Sequence, residues 1–273
     1  MTAIRLPAVA GLFYPADGWQ LREEINRLLA AAKSHDFKPK ALIVPHAGYI
    51  YSGAVAATAY AGLSSIADVI KRVVLLGPAH RVAVHGMALP GADAFETPLG
   101  RVEVDQTLIA AIAHLPQIVV SAEAHAMEHA LEVQLPFLQS MLDDFTLLPL
   151  VVGATTGEAV AQVLEQVWGG EETLIVVSSD LSHYLPYATA QRIDHATVQA
   201  IMQMHQPVTH EQACGSVPIN GLIIAAQKHR LVPHLLDLRN SGDTAGSRDQ
   251  VVGYTAIAFS EEKGKWREFS QSE

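Results

Sequence analysis

The chain has 273 residues, 49% of them hydrophobic, a formal charge of −10 and an isoelectric point near 5.7. A chain of this length can bury a large core, and no linker interrupts it. We therefore expect one α/β domain over residues 1–260 and a polar tail at 261–273. The acidic balance argues against the clustered Lys and Arg that bind nucleic acid phosphates, so nucleic acid is not an expected partner.

The sequence also bears on membranes and on the cellular compartment. No apolar run approaches the roughly 20 residues that a membrane span needs, and residues 1–7 lack the apolar core of a signal peptide. The single cysteine, Cys214, excludes an internal disulfide and fits a reducing compartment. We expect a cytoplasmic protein that does not bind a membrane.

Helical and strand patterns alternate along the chain. In order, they predict a helix at 17–33, a strand at 41–45, a helix at 52–63, a strand at 72–76, helices at 105–114 and 127–141, a strand at 147–152, a helix at 156–168, a strand at 173–177, helices at 188–204 and 217–229, and strands at 231–238 and 251–259. Near-continuous apolar strands of this kind are typical of buried parallel sheets. The predicted fold is a central mixed, mostly parallel sheet flanked by helices.

Three apolar runs end in residues that can bind a metal or transfer a proton. The run at 41–45 ends in His46, the run at 72–79 in His80, and the run at 173–179 in Asp180. Ligands of α/β proteins bind at the carboxyl ends of the strands, so these residues predict one cleft. Neutral imidazole is the commonest side-chain metal ligand, and His46 and His80 are candidates to hold one ion. The alternative is that each imidazole only hydrogen-bonds backbone at a strand end.

The segment at 178–184 adds a second kind of chemistry. It places Asp180 three residues before His183, within one turn, which suits a base whose tautomer a carboxylate fixes. The alternative is a helix cap, with Asp180 accepting backbone N–H bonds and His183 exposed.

Other motifs give weaker signals. Residues 125–129 match H-x-x-E-H, the inverted zinc-peptidase signature, but the match lies at a predicted helix start, so His125 could point away from His129. A Ser-His-Asp hydrolase built within 178–184 would have its residues too close in sequence for in-line geometry. G-x-S-x-G, G-x-G-x-x-G and the P-loop are absent, so no nucleotide cofactor is expected.

Five blocks of sequence together point to a known family. They are AVAGLFYPAD at 8–17, PHAGYIYSG at 45–53, GPAH at 77–80, EHALEVQLPF at 128–137 and SSDLSHY at 178–184. In this order, over about residues 5–259, they resemble the Memo family, whose prokaryotic members are labelled AmmeMemoRadiSam system protein B. The resemblance implies a fold similar to the class III extradiol dioxygenases, which are non-heme iron enzymes with a metal cleft at one end of a central sheet.

The resemblance also assigns roles to residues. His46 and His80 match iron-ligand histidines of the dioxygenase relatives. Asp180 with His183 matches the S-D-x-S-H pair of the family, whose histidine sits where the relatives keep an acid/base residue beside the substrate, so the two are expected to be an acid/base pair. Cys214, in the segment ACGS, matches the third metal-site residue of the Memo family, where the dioxygenases have a glutamate. The chain thus departs from the two-histidine, one-carboxylate pattern of oxygen-activating iron.

The cysteine affects which metal is expected. A thiolate is softer than a carboxylate and shifts selectivity towards copper(I), zinc or thiolate-bound iron. We therefore expect one metal ion, iron or copper, with zinc as an alternative. The competing interpretation of Cys214 is a buried small hydrophobe, the usual place of a free cysteine.

Four further residues are candidates for contacts around the metal or with substrate. They are Glu128, His129, Tyr49 and Tyr51. Glu128 could orient an imidazole and His129 could contact substrate, since outer-shell partners fix ligand geometry. The alternatives are a carboxylate placed at a helix start, where the helix dipole favours it, and tyrosines that are simply half-buried.

The expected function is that of a Memo-family metal-binding protein, a non-heme metal-dependent oxidoreductase acting on a small molecule. Two alternatives use the same cleft. The first is non-catalytic binding of a peptide or metabolite, because animal relatives are associated with phosphotyrosine signalling. The second is a metal-dependent hydrolase, in which the ion acidifies water. The family label further implies a functional link to a radical SAM protein.

Overall fold

The computed structural model describes residues 3–33, 35 and 37–261. Glu261, predicted to open the polar tail, is instead the last residue of a strand, and the rest of that tail lies outside the described residues. Of the helices in the described part of the chain, none combines the length and the apolar character needed to cross a membrane.

Strands and helices alternate through most of the chain. Within the described residues the strands are β1 (Ile4–Arg5), β2 (Pro39–Val44), β3 (Arg72–Pro78), β4 (Met87–Leu89), β5 (Ala94–Thr97), β6 (Gly100–Glu103), β7 (Ile118–Val120), β8 (Thr146–Val152), β9 (Thr173–Ser178), β10 (His183–Leu185), β11 (Leu231–Asn240) and β12 (Val251–Glu261). The helices are α1 (Gly18–Ala31), α2 (Tyr49–Ala61), α3 (Gln106–Ile112), α4 (Ala122–Ala126), α5 (His129–Glu132), α6 (Leu135–Met141), α7 (Gly157–Val167), α8 (Tyr187–Met202) and α9 (Ser216–Lys228), with a 3-10 turn at Ser241–Asp243.

The main sheet is mixed, with parallel strands at its centre. Its order is β10-β12-β2-β9-β3-β8-β4-β7, and β11 also pairs with β12. The central strands β2, β9, β3 and β8 run parallel, whereas β12 is antiparallel to β2, β10 and β11, and β4 is antiparallel to β8. A smaller sheet has the order β1-β5-β6. The predicted single-domain α/β fold is confirmed.

Two apolar cores lie on opposite faces of the main sheet, because side chains alternate along each strand. In β2, Leu42 and Val44 join the core beneath α1, α2 and α6, whereas Ala41 and Ile43 join the core beneath α7, α8 and α9. Strands buried on both faces are continuously apolar, which is the pattern that predicted them.

Polar side chains cap three helices at the predicted residues. Asp17 accepts from the N–H of Gln20 at 2.9 Å, Asp105 from that of Leu108 at 2.9 Å, and Thr156 from that of Ala159 at 3.3 Å. Helix α2 begins three residues before the predicted start. Its first N–H, of Tyr49, donates to the Phe13 carbonyl at 2.8 Å.

The single helix predicted at 127–141 was wrong. The segment forms two short helices instead, α5 and α6, and non-helical residues separate α5 both from α6 and from α4, which ends at Ala126. Glu128 is extended, and its carboxylate accepts from the N–H groups of Ala130 and His80, which holds it out of a continuous helix. Pro136 has no N–H and so fits the first turn of α6 but not a helix interior.

The carboxylate of Glu132 connects the amino-terminal segment to α5. It is fully buried, and its partners are the guanidinium of Arg5, the N–H of Ala8 at 2.8 Å, the N–H of Val9 at 3.0 Å and the hydroxyl of Tyr14 at 2.5 Å. Arg5 also donates to the carbonyls of His125 and Glu128 at 3.0 and 2.7 Å. Among the described residues, Glu132 is therefore the one carboxylate paired with the buried charge of Arg5.

Replacing Glu132 by Ala should lower the free energy of unfolding by about 3–5 kcal/mol, because it leaves the Arg5 charge buried and unpaired. Glu96→Ala is the matched control. It breaks the exposed Arg101–Glu96 pair at 3.2 Å and should change stability by less than about 1 kcal/mol. Urea denaturation measures both losses, and equal losses would contradict the assignment.

Candidate metal centre

The candidate site lies where three neighbouring parallel strands end. His46, His80 and Asp180 each stand two residues beyond β2, β3 and β9, and β9 lies between the other two strands. The register places Val44 opposite Ser178, so these strands end at the same level. The same offset then brings the three side chains to one edge of the sheet.

Three imidazoles converge at this edge. One ligand atom from each of His46, His80 and His129 lies within 4.8 Å of the others. The ring centroids are 5.1 Å apart for His46 and His80, 5.3 Å for His46 and His129, and 4.7 Å for His80 and His129. His129, which the sequence suggested as a substrate contact, therefore joins the two predicted ligands in a group that could hold a metal ion.

The hydroxyl of Ser178 determines the tautomer of His46. Ser178 Oγ donates its only proton to the Ala130 carbonyl at 2.6 Å and accepts from Nε2 of Gln134 at 2.8 Å. It can therefore only accept from Nδ1 of His46, which lies 3.0 Å away. His46 carries its proton on Nδ1, and the lone pair of Nε2 faces the cleft.

The amide orientation of Gln134 is fixed by two further partners. Its Oε1 accepts from the Tyr60 hydroxyl at 2.9 Å, and its Nε2 donates to the Pro45 carbonyl at 2.8 Å. All of these groups are buried, so the network is shielded from water. The sequence reasoning missed Gln134 and Ser178, although both lie inside the blocks that carried the resemblance.

Glu128 has the corresponding role for His80. Its Oε1 lies 2.9 Å from Nδ1 of His80, and its Oε2 accepts from the N–H of the same residue at 2.6 Å. Burial alone would raise the pKa of Glu128, but hydrogen bonds from His80 and from backbone N–H groups outweigh it and bring the pKa to about 2. The ionised carboxylate holds the proton of His80 on Nδ1 and leaves Nε2 for a ligand.

Burial keeps the imidazoles of His46 and His129 uncharged at neutral pH. Burial, with a smaller contribution from His80, lowers the pKa of His46 to about 3. Burial and His46 lower the pKa of His129 to about 4. Nδ1 of His129 is buried and makes no hydrogen bond to the described residues, although Oε1 of Glu128 lies 3.3 Å away. Neutral, closely spaced imidazoles fit a metal ion, because protons do not compete for their lone pairs.

Cys214 lies beside this group. Its Sγ is 3.3 Å from Nε2 of His46. It does not belong to the group of three imidazole atoms that all lie within 4.8 Å of one another. Burial, and to a smaller extent the charge of Asp180, raises the pKa of the thiol to about 12. The thiol therefore keeps its proton unless a cation displaces it. Its assignment as a metal ligand stays a prediction.

Asp180 and His183 both line the cleft. Oδ1 of Asp180 accepts from the N–H of His46 at 2.7 Å, and its Oδ2 lies 4.0 Å from Nε2 of that residue. Burial raises the pKa of this carboxyl group. His183 is half-buried in β10, where it pairs with Val252 of β12. The predicted acid/base pair thus faces the same space as the imidazole group.

The remaining candidates fall in different places. Tyr51 lines the cleft and is 39% exposed, whereas Tyr49 is in the core, where its hydroxyl donates to the Val133 carbonyl at 2.7 Å. His125 lies in α4, and its Nε2 is 2.7 Å from the Ala88 carbonyl. His129 is in a separate helix, so the H-x-x-E-H segment does not present two histidines on one helix face.

The cleft has a volume of about 700 Å³, within the range for small-molecule sites. Its wall combines imidazoles, aromatic rings and one guanidinium. Besides the histidines and Asp180, it is lined by Phe13, Tyr51, Arg81, Tyr184, Tyr254 and polar residues of the segment from Ser241 to Gln250. Most of these lining residues lie outside any local sequence pattern that would indicate a site.

Comparison with known proteins gives consistent matches over most of the chain. The family model described as Memo-like protein matches residues 5–258. A MEMO1 family protein of Aquifex aeolicus is 38% identical over 268 residues, and one of Metallosphaera sedula is 35% identical over 288; both alignments cover 94% of this chain and 99% of the relative. The solved structure of an uncharacterized protein from Escherichia coli K12 has a TM-score of 0.48 and 14% sequence identity, and the match covers 78% of this chain and 98% of that one. This chain belongs to the Memo family.

Proposed function

We propose that this protein is a metal-dependent oxidoreductase that holds one iron or copper ion on His46, His80 and His129. The observation that carries the proposal is that Ser178 and Glu128 both occupy Nδ1 of a histidine, which leaves two Nε2 lone pairs directed to one cleft. Metal-binding histidines are typically held in this way.

The donor set supports a redox-active metal. Imidazole suits zinc, copper, iron and nickel, and the neighbouring sulfur of Cys214 adds a soft donor that favours copper(I), zinc or iron. We propose Cys214 as a further donor to the same ion. A bound iron or copper ion would supply one-electron chemistry.

The protein side chains would manage protons and position the substrate. His183, at the wall of the cleft, would transfer a proton to or from the bound molecule, since imidazole is the side chain that most often acts as a general acid or base. Asp180 would hold the His46 backbone and interact electrostatically with His183. The cleft volume suits a small molecule better than a protein segment.

Metal analysis of histidine variants tests the ligand set. The wild-type protein should retain one equivalent of iron or copper after dialysis, and His129→Ala should lose it because a ligand is removed. His125→Ala is the matched control, since His125 lies in the same 122–132 segment but its Nε2 is 2.7 Å from the Ala88 carbonyl.

The same samples test the sulfur donor. Cys214→Ser should keep metal with the three histidines but lose the thiolate charge-transfer absorption of the copper-loaded or iron-loaded protein. Full metal content in His129→Ala, or an unchanged absorption band in Cys214→Ser, would overturn the corresponding assignment.

Ser178→Ala should weaken metal affinity by about 10–100-fold, because the tautomer of His46 would no longer be fixed. Competition with a chelator measures the affinity, and circular dichroism checks the fold. Ser140→Ala is the control: its hydroxyl donates to the Pro136 carbonyl within α6, away from the imidazoles. Equal affinities in the two variants would show that Ser178 has no positioning role.

Oxygen uptake separates the proposed activity from its alternatives. Protein loaded anaerobically with iron or copper should consume O2 when small aromatic molecules are added, and His183→Ala should slow uptake by about 10²–10⁴-fold, the usual contribution of a general acid or base. Ligand binding without uptake would support a non-catalytic binding protein. Zinc in the purified protein together with ester or amide cleavage would support a hydrolase.

A further inference from the structure

Arg81 contributes a positive charge at the mouth of the cleft. It follows His80 directly, is exposed, and is the one Lys or Arg among the described residues that line the cleft. In the described part of the chain it makes no hydrogen bond, ion pair or ring contact. By contrast, Arg5 and Arg239 each pair with a carboxylate.

The acidic groups that line the cleft or contact its histidines are hydrogen-bonded to other residues. Asp180 accepts the N–H of His46 at the floor of the cleft. Glu128 does not line the cleft, and it accepts from His80 and Ala130. The guanidinium is therefore available to an anion that enters from solvent, although the protein as a whole is acidic. A concave wall strengthens such an interaction by focusing the field.

Aromatic rings line the same cleft. Tyr184 stands at an irregularity in the pairing of β10 with β12 and has a φ of +55°, a conformation that non-glycine residues rarely adopt. Backbone irregularities of this kind redirect side chains and are common next to functional sites. Tyr184 is 68% exposed although it lines the cleft, and Tyr51 lines the cleft too. Phe13 contributes a third ring, 4.8 Å from His129.

We propose that the cleft binds a small aromatic molecule that carries one carboxylate, with its ring against Phe13, Tyr51 or Tyr184 and its carboxylate paired with Arg81. Arg pairs carboxylates through two parallel hydrogen bonds, and aromatic pairs are favoured beyond their buried area. A phosphate carries about −1.5 to −2 charges, more than one guanidinium matches. Calling this molecule the substrate rests on the proposed oxidoreductase function, whereas the binding itself does not.

Binding of fluorescent probes tests this inference. 2-Naphthoate should bind wild-type protein at least about tenfold more tightly than neutral 2-naphthol, about 1.4 kcal/mol. Arg81→Gln should remove that preference and leave 2-naphthol binding unchanged. Arg101→Gln is the matched control, because Arg101 is an exposed arginine paired with Glu96 on the smaller sheet, and it should bind both probes as wild type does.

The titrations are run on metal-loaded and on metal-free protein, so that the two proposals can fail separately. If the protein fails to bind metal at all, the metal-dependent function is overturned, whereas an Arg81-dependent preference for naphthoate in that protein still supports the anion site. A preference that survives Arg81→Gln would overturn the anion site even where metal is bound. Tighter, Arg81-dependent binding of 2-naphthyl phosphate would overturn the choice of a carboxylate.

Discussion

The carboxylate of Glu128 is the group on which the arrangement of the site depends. It accepts from Nδ1 and the backbone of His80, and from the N–H of Ala130 at the start of α5. These bonds hold Glu128 in an extended conformation between α4 and α5. The side chain of His129, the first residue of α5, then lies against the other two imidazoles. One buried charge thus determines both the course of the backbone and the direction of two metal-binding candidates.

The parts of the fold that follow from local pattern could be predicted from sequence. Continuous apolar strands and polar caps such as Asp17 and Thr156 depend on neighbours a few residues away. His46 and His80 could be predicted as site residues for a related reason. Each follows a buried parallel strand, and the ends of such strands meet at one edge of a sheet regardless of other details.

The rest depends on contacts between residues distant in the chain. Residues 127–141 have a helical pattern, yet Glu128 bonds to His80, 48 residues earlier, and this outweighs local preference. In the sequence Ser178 is an ordinary strand residue, and its positioning role becomes visible only when the fold brings Ala130 and Gln134 beside its hydroxyl. Small strands such as β4 and β7 were missed because three residues carry too little periodicity.

The amino-terminal segment is attached to the same short helix that carries His129. Glu132, at the end of α5, binds Arg5 and Tyr14, and Phe13 packs against His129 and accepts from the first N–H of α2. Docking of this segment and occupancy of the imidazole group therefore share one structural element. A ligand bound to His129 and the docked segment 5–14 then stabilise each other. Thermodynamic reciprocity requires the two effects to be equal: the factor by which docking improves the ligand's affinity is the factor by which the ligand favours docking.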